Sequence, residues 1–196
     1  SITSISEEAF EYCAKLTSII IPSSVTIIQE EAFRECQSLT IITIPDSVKT
    51  IGDKAFENCT SLISVSFPGS VTSIGVRAFE NCTGLTSVSI PNSVTDISLR
   101  AFKNCNSLTN VTIPDSITYI DDSAFSNCTN LENVAIPDSV TLIRWNAFEG
   151  CTSLKSITIP FIGEKKDGTG ATYFGYIFGA SSYFDNSGWV PSSLKT

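Results

Sequence analysis

Ile113-Pro114-Asp115-Ser116-Ile117-Thr118-Tyr119-Ile120-Asp121-Asp122-Ser123-Ala124-Phe125-Ser126-Asn127-Cys128-Thr129-Asn130-Leu131 decides how the chain is read, because its landmarks recur at one fixed step. Steps of 23 residues from Cys128 reach Cys13, Cys36, Cys59, Cys82, Cys105 and Cys151, which with Cys128 account for all 7 cysteines. Phe10, Phe33, Phe56, Phe79, Phe102, Phe125 and Phe148, each preceded by Ala, keep the same step. So do Leu16, Leu39, Leu62, Leu85, Leu108, Leu131 and Leu154, and Pro22, Pro45, Pro68, Pro91, Pro114, Pro137 and Pro160. The unit reads L-x-x-V-x-I-P-x-S-V-x-x-I-x-x-x-A-F-x-x-C-x-x, and a period of this size marks a solenoid of stacked supersecondary units.

Within one unit, Leu85, Val88 and Ile90 point inward, and the β-branched run up to Pro91 is a short strand. Val94 and Ile97 supply a second inward edge, and Ala101-Phe102 with Cys105 a third, expected to be a helical turn. So few apolar positions cannot close around themselves, so each unit has a core only when a neighbour covers it. Strands of successive turns then pair in parallel about 4.8 Å apart, and seven turns make a rod or shallow arc about 34 Å long.

Composition narrows the function. With 42% hydrophobic and 16% charged residues in 196, the chain buries a continuous core. The net charge of −8 repels a phosphate backbone, so nucleic acid is not an expected partner. No apolar stretch approaches the roughly 20 residues of a spanning helix, so no membrane insertion is expected in this segment. Histidine is absent, which excludes Ser/His and Cys/His nucleophile systems and His-ligated metals. No glycine-rich phosphate loop and no calcium loop occur, so neither a metal nor another cofactor is expected.

The cysteine row invites disulfide or zinc readings, and both fail on geometry. In-register residues of a parallel ladder keep their Cβ atoms near 4.8 Å, whereas a disulfide wants about 3.8 Å. Zinc needs convergent ligands, commonly C-x-x-C pairs, which this spacing does not supply. The thiols are therefore expected as small buried hydrophobes. Four Asn-x-Thr patterns begin at Asn58, Asn81, Asn110 and Asn127; three of them arise from the repeat itself.

The 113–131 stretch closely resembles the leucine-rich repeats of the BspA-like (Treponema-type) class, known from surface-exposed proteins of bacteria and some protozoa, and the resemblance covers residues 1–160. It implies an α/β-type repeat solenoid: an arc with a concave parallel β-sheet and an irregular, short-helical convex side, without cofactor or catalysis. It also implies an extracellular or cell-surface setting and binding of a protein such as a host matrix component or another cell-surface protein. On that fold the outward strand positions tile the concave face. Candidate ligand contacts are Thr40, Thr43, Ser64, Ser66, Thr86, Ser87, Ser89, Thr109, Asn110, Thr112, Glu132, Asn133, Lys155 and Thr158. Glu132 and Lys155 are the only ionisable groups of that face, so no pair of carboxylates for general acid/base work is expected there. The acids Glu7, Glu8, Glu30, Glu31, Asp121 and Asp122 are expected on a solvated convex face.

Residues 1–160 hold seven turns, the first incomplete, and 161–196 an enlarged aromatic-rich turn with the start of a further repeat. Leu194 is read as the next repeat leucine, 40 residues after Leu154, that is 23 plus an insertion of 17, and the chain as part of a longer protein. Tyr173, Tyr176, Tyr183 and Trp189 either cover the last regular turn or form an aromatic platform for a glycan or peptide. The leading function is a non-catalytic, adhesin-like binding module; the alternatives are a structural spacer and glycan binding by the aromatic turn. Regular hydroxyl rows also suit ice, but Ile20, Ile41, Ile63 and Glu132 interrupt them.

Overall fold

The structure, a computed structural model, describes residues 2–172 and 174–179. One parallel sheet runs in chain order through β3 (Ile41–Thr43), β5 (Ser64–Ser66), β7 (Ser87–Ser89), β9 (Asn110–Thr112), β11 (Asn133–Ala135) and β13 (Ser156–Thr158). Ile42 stands opposite Val65 and Val88 opposite Val111, so each residue meets its own copy in the next turn. In β3 to β11 the central residue is buried and its two neighbours are exposed, the alternation a pleated strand dictates.

The inward edge after each proline is also a strand, so a turn contributes two strands rather than the expected one. β1 (Ser4–Ile5), β2 (Ile27–Ile28), β4 (Thr50–Ile51) and β6 (Ser73–Ile74) form a second parallel sheet. β8 (Asp96–Ile97), β10 (Tyr119–Ile120) and β12 (Leu142–Ile143) form a third. Buried backbone groups need partners, and the copy one turn away stands within reach. The break between β6 and β8 coincides with Phe67, which occupies a slot filled by Ile44, Ile90, Ile113 and Ile136 in other turns. The Phe67 ring is only half-buried and meets Phe79 edge-on at 5.5 Å. Across the break the Ser98 hydroxyl donates to the Ile74 carbonyl at 2.6 Å, where other turns use a backbone N–H such as Asp121 to Ile97 at 2.9 Å.

The helical convex side expected from Ala-Phe-x-x-Cys is not there: among the described residues no α-helix occurs, and the single helix is the 3-10 turn Phe174–Phe178. The fold is a parallel β-solenoid. Two residues per turn adopt left-handed φ, for example Glu31 (54°) and Glu35 (61°), and Lys54 (53°) and Asn58 (61°), and each breaks a nascent helix. Alternate N–H groups close local turns, Arg34 to the Glu31 carbonyl at 3.0 Å and Cys36 to Phe33 at 3.2 Å. The ones between reach the next turn, Glu31 to Asp53 at 2.9 Å, Phe33 to Ala55 at 2.8 Å and Glu35 to Glu57 at 2.9 Å. A helix about 10 Å across would force the turns apart. Instead the phenylalanine rings from Phe10 to Phe148 stack nearly parallel at 5.1 to 5.6 Å, close to the strand spacing of about 4.8 Å.

Beyond β13 the chain returns along the third sheet: Lys165 bridges Leu142 in antiparallel sense, and Ile143 N–H donates to the Glu164 carbonyl at 2.8 Å. Phe148 N–H donates to the Ile177 carbonyl at 2.9 Å, which puts buried Ile177-Phe178 in the Ala-Phe slot. Phe178 follows Phe148 by 30 residues, that is 23 plus 7, so the described part of the enlarged turn carries seven extra residues at this slot. Leu194, which set the figure of 17, lies outside the described residues. No helix among the described residues is long and apolar enough to cross a membrane.

Candidate functional site

The outward face of the six-stranded sheet places the candidate contacts side by side, and their chemistry divides them in two. Thr40 donates its hydroxyl to the Thr17 carbonyl at 3.3 Å, Thr86 to Ile63 at 3.3 Å and Thr109 to Thr86 at 3.2 Å. These three hydroxyls extend the backbone ladder. Thr43, Ser64, Ser66, Ser87, Ser89, Thr112 and Thr158 are exposed, and among the described residues their hydroxyls bond to nothing in the chain. Asn110 donates its amide to the Thr109 hydroxyl at 3.2 Å, and Ser156 its hydroxyl to Asn133 at 2.6 Å. Glu132 and Lys155 pair with one another at 2.9 Å, an exposed bridge that adds little stability and leaves the face neutral.

Ile20, Ile41 and Ile63 stand on the same face, 93%, 57% and 50% exposed. Tyr176 is half-buried, its ring 5.9 Å from that of Trp145 and tilted by 50°. Trp145 is not among the aromatics that the sequence singles out; its signal is an indole in a slot that holds Glu7, Glu30, Asp53, Val76, Leu99 and Asp122 in the other turns. Tyr173, Tyr183 and Trp189 lie outside the described residues.

The opposite side is more structured than a solvated row of acids. Arg34 bridges Glu11 at 2.6 Å, Glu57 at 2.9 Å and Glu31 at 3.4 Å, while Lys54 takes Glu31 at 2.5 Å and Glu30 at 3.4 Å. The Lys54 hydrogen bond holds the Glu31 carboxyl below its usual range. Glu8, Glu11 and Glu31 bring carboxylate oxygens within 4.8 Å of one another, but Arg34 and Lys54 already supply the cations for two of them. Glu7, Glu8 and Glu30 are exposed, whereas Asp121 and Asp122 are half-buried beside Arg144, at 3.8 and 3.9 Å.

Two side-chain ladders run the length of the stack. Cys36, Cys59, Cys82, Cys105, Cys128 and Cys151 are buried and free, and each donates its thiol to the carbonyl of the Phe 26 residues earlier, at 3.2 or 3.3 Å. Cys13, expected in the same buried row, is exposed: no described turn precedes its own to cover it. Asn127 donates to Asn104, Asn104 to Asn81 and Asn81 to Asn58, at 2.7 to 2.9 Å, and Asn58 to the Glu35 carboxylate at 2.6 Å. The amide nitrogens of three sequon asparagines, Asn58, Asn81 and Asn127, are therefore engaged in this ladder, with Asn127 exposed at its end, while the fourth, Asn110, is exposed on the sheet and donates to its neighbour Thr109.

Six copies of a repeat described as the BspA type leucine rich repeat region match the chain, over residues 3–128 and 49–166. The chain belongs to the BspA-type leucine-rich repeat family. A leucine rich repeat protein of T. pallidum is 32% identical, with a TM-score of 0.72 over 76% of this chain and 72% of that one. A leucine rich cell surface protein from Faecalibacterium prausnitzii is 30% identical, with a TM-score of 0.62 over 88% of this chain. A leucine-rich repeat protein from Eubacterium ventriosum is 31% identical, with a TM-score of 0.69 over 74% of this chain. The BspA-type chain described here spans 60% and 39% of the lengths of the latter two. No curated protein matches it. The family is one of repeat proteins that generally mediate protein interactions and are generally non-catalytic.

Proposed function

We propose that this chain is a non-catalytic, adhesin-like module of a cell-surface or secreted protein that binds a protein partner, a host matrix component or another cell-surface protein, through the face of the six-stranded sheet. The observation that carries this is the set of unbonded hydroxyls, among them Thr43, Ser66, Ser87, Ser89 and Thr112, held by a continuous six-stranded sheet. A surface ordered before binding loses little conformational entropy in the complex. The description of the F. prausnitzii relative as a cell surface protein supports the setting.

The experiment is a binding array of matrix proteins, cell-surface proteins and glycans, probed with the chain and with Thr86→Asp/Ser89→Asp. Selective protein capture lost in the variant supports the reading; capture of nothing favours a structural spacer. Glycan binding is the second reading, favoured by the Trp145–Tyr176 ring pair. Glycan capture abolished by Trp145→Ala and kept by Thr86→Asp/Ser89→Asp would replace the first reading with it.

A further inference from the structure

Resting on the reading that this sheet face binds a protein, we infer that its recognition centre is the diagonal Ile20, Ile41, Ile63, and that the diagonal takes an extended, uncharged partner segment with aliphatic side chains at alternate positions. The stacking does not ask for these isoleucines. The slots they fill hold Thr43 and Thr112, Ser64 and Ser87, and Thr40 and Thr86 in other turns. Each is half-exposed or more, so the apolar surface is offered to water rather than to the core.

Their positions shift one outward slot per turn, which draws a line across the sheet instead of along a strand. Ile20 bridges Thr43, two residues from Ile41, and Ile41 pairs with Ser64, the neighbour of Ile63. With about 4.8 Å between strands and about 3.3 Å per residue, the steps are about 8 and 6 Å, and the line is about 14 Å long. An extended segment presents same-face side chains about 6.8 Å apart, so three alternate ones cover about 14 Å.

Charge selects the same occupant. The outward positions from Thr17 to Thr112 hold no ionisable side chain, and the charges beyond them, Glu132 and Lys155, neutralise each other at 2.9 Å. A charged segment would lose hydration here without a counter-charge. The unbonded hydroxyls of Thr43, Ser64 and Ser66 lie beside the line and can meet polar groups of the partner.

The test is fluorescence anisotropy with three labelled, blocked nine-residue peptides: alternating valine and serine, the same composition with valines at helical spacing, and alternating valine and aspartate. The 196-residue chain is compared with Ile20→Thr/Ile41→Ser/Ile63→Thr, which installs residues the repeat already uses in those slots and so preserves folding. A third protein adds Ser66→Ile/Ser87→Ile/Thr109→Ile to that variant, rebuilding the diagonal two turns on. The alternating valine-serine peptide is expected to bind best, to lose at least ten-fold in affinity on the triple substitution, and to regain it in the rebuilt protein. Preference for another peptide, unchanged affinity in the triple variant, or no saturable binding overturns the inference. On the protein array, capture lost in Thr86→Asp/Ser89→Asp but kept in the triple variant defeats the diagonal alone; capture kept in both defeats binding by this face.

Discussion

The Cys82 thiol donates to the carbonyl oxygen of Phe56, 3.2 Å away and 26 residues earlier, inside the core beneath the phenylalanine stack. The same bond recurs at the other five buried thiols, so each cysteine satisfies a carbonyl of the previous turn while filling a small apolar slot.

Burial pushes these thiols up, Cys36 to about 11 and Cys151 to about 12. A pKa raised by folding favours the protonated native state, so the stability is complete below the unfolded value of about 8.5 and is lost as pH climbs toward the folded values. Each buried thiol then removes about 1.4 kcal/mol per pH unit. Denaturation midpoints are expected to fall steeply from pH 8.5 upward, and a midpoint flat to pH 10 would contradict the buried row. Thiol titration at pH 8 should label Cys13 at once and the other six only after unfolding.

Ser123 adopts a φ of 56° on the convex side, a conformation that costs a residue with a Cβ about 1–2 kcal/mol. Against the greater chain entropy of glycine, Ser123→Gly is expected to gain about 0.5–1 kcal/mol. Asn104→Ala at a φ of 60° keeps the strain, breaks the amide ladder on both sides, and should lose about 2 kcal/mol or more. Chemical denaturation of both variants checks the opposite signs.

Phe67→Ile should close the break between β6 and β8, because isoleucine is what neighbouring turns carry in that slot. In the parent chain the amides of Thr95 and Ser98 are expected to exchange with solvent faster than those of Thr118 and Asp121, which bond to Thr95 and Ile97 at 2.8 and 2.9 Å. In the variant the four rates should converge; unchanged exchange at Thr95 would remove Phe67 as the cause.

Glu80 is buried, its Oε2 has no hydrogen bond, and Arg77 Nε stands 3.4 Å away. Burial raises its carboxyl above the usual range. A raised carboxyl contributes stability at acidic pH, below about 4.3, and that contribution is lost as pH rises through the folded value. Glu80→Gln is therefore expected to be as stable as the parent or more so at pH 7, and to lose that advantage at pH 4. Paired denaturation curves at the two pH values decide it.

The landmarks were legible because stacking writes itself into sequence: Phe102 meets Phe79 and Phe125, and Leu, Val and Ile of each strand meet their own copies, so only a residue that packs against itself keeps its place. Free buried thiols followed from the same row. The convex side was misread because Ala-Phe-x-x-Cys fits a helical turn as well as a chain of tight turns. Its one local signal was the slot before Cys, where Asn58, Asn81, Asn104, Asn127 and Gly150 are residues that tolerate left-handed φ. The hydroxyl face was legible as composition, whereas the division between Thr86, bound to the Ile63 carbonyl, and the unbonded Ser87 was not.

The sequence by itself determined that the chain is a stack of 23-residue units and which side chains face the core, since the period and the apolar positions are properties of one turn repeated. The tertiary structure decided where the hydrogen bonds go: a second strand in each turn, a convex ladder in place of helices, and an antiparallel return at Lys165. Those choices depend on partners one turn away, 21 or more residues along the chain, as in Phe33 N–H to Ala55, Cys59 thiol to Phe33 and Ile143 N–H to Glu164. A backbone group carries no residue identity, so its partner appears only when neighbouring turns are stacked.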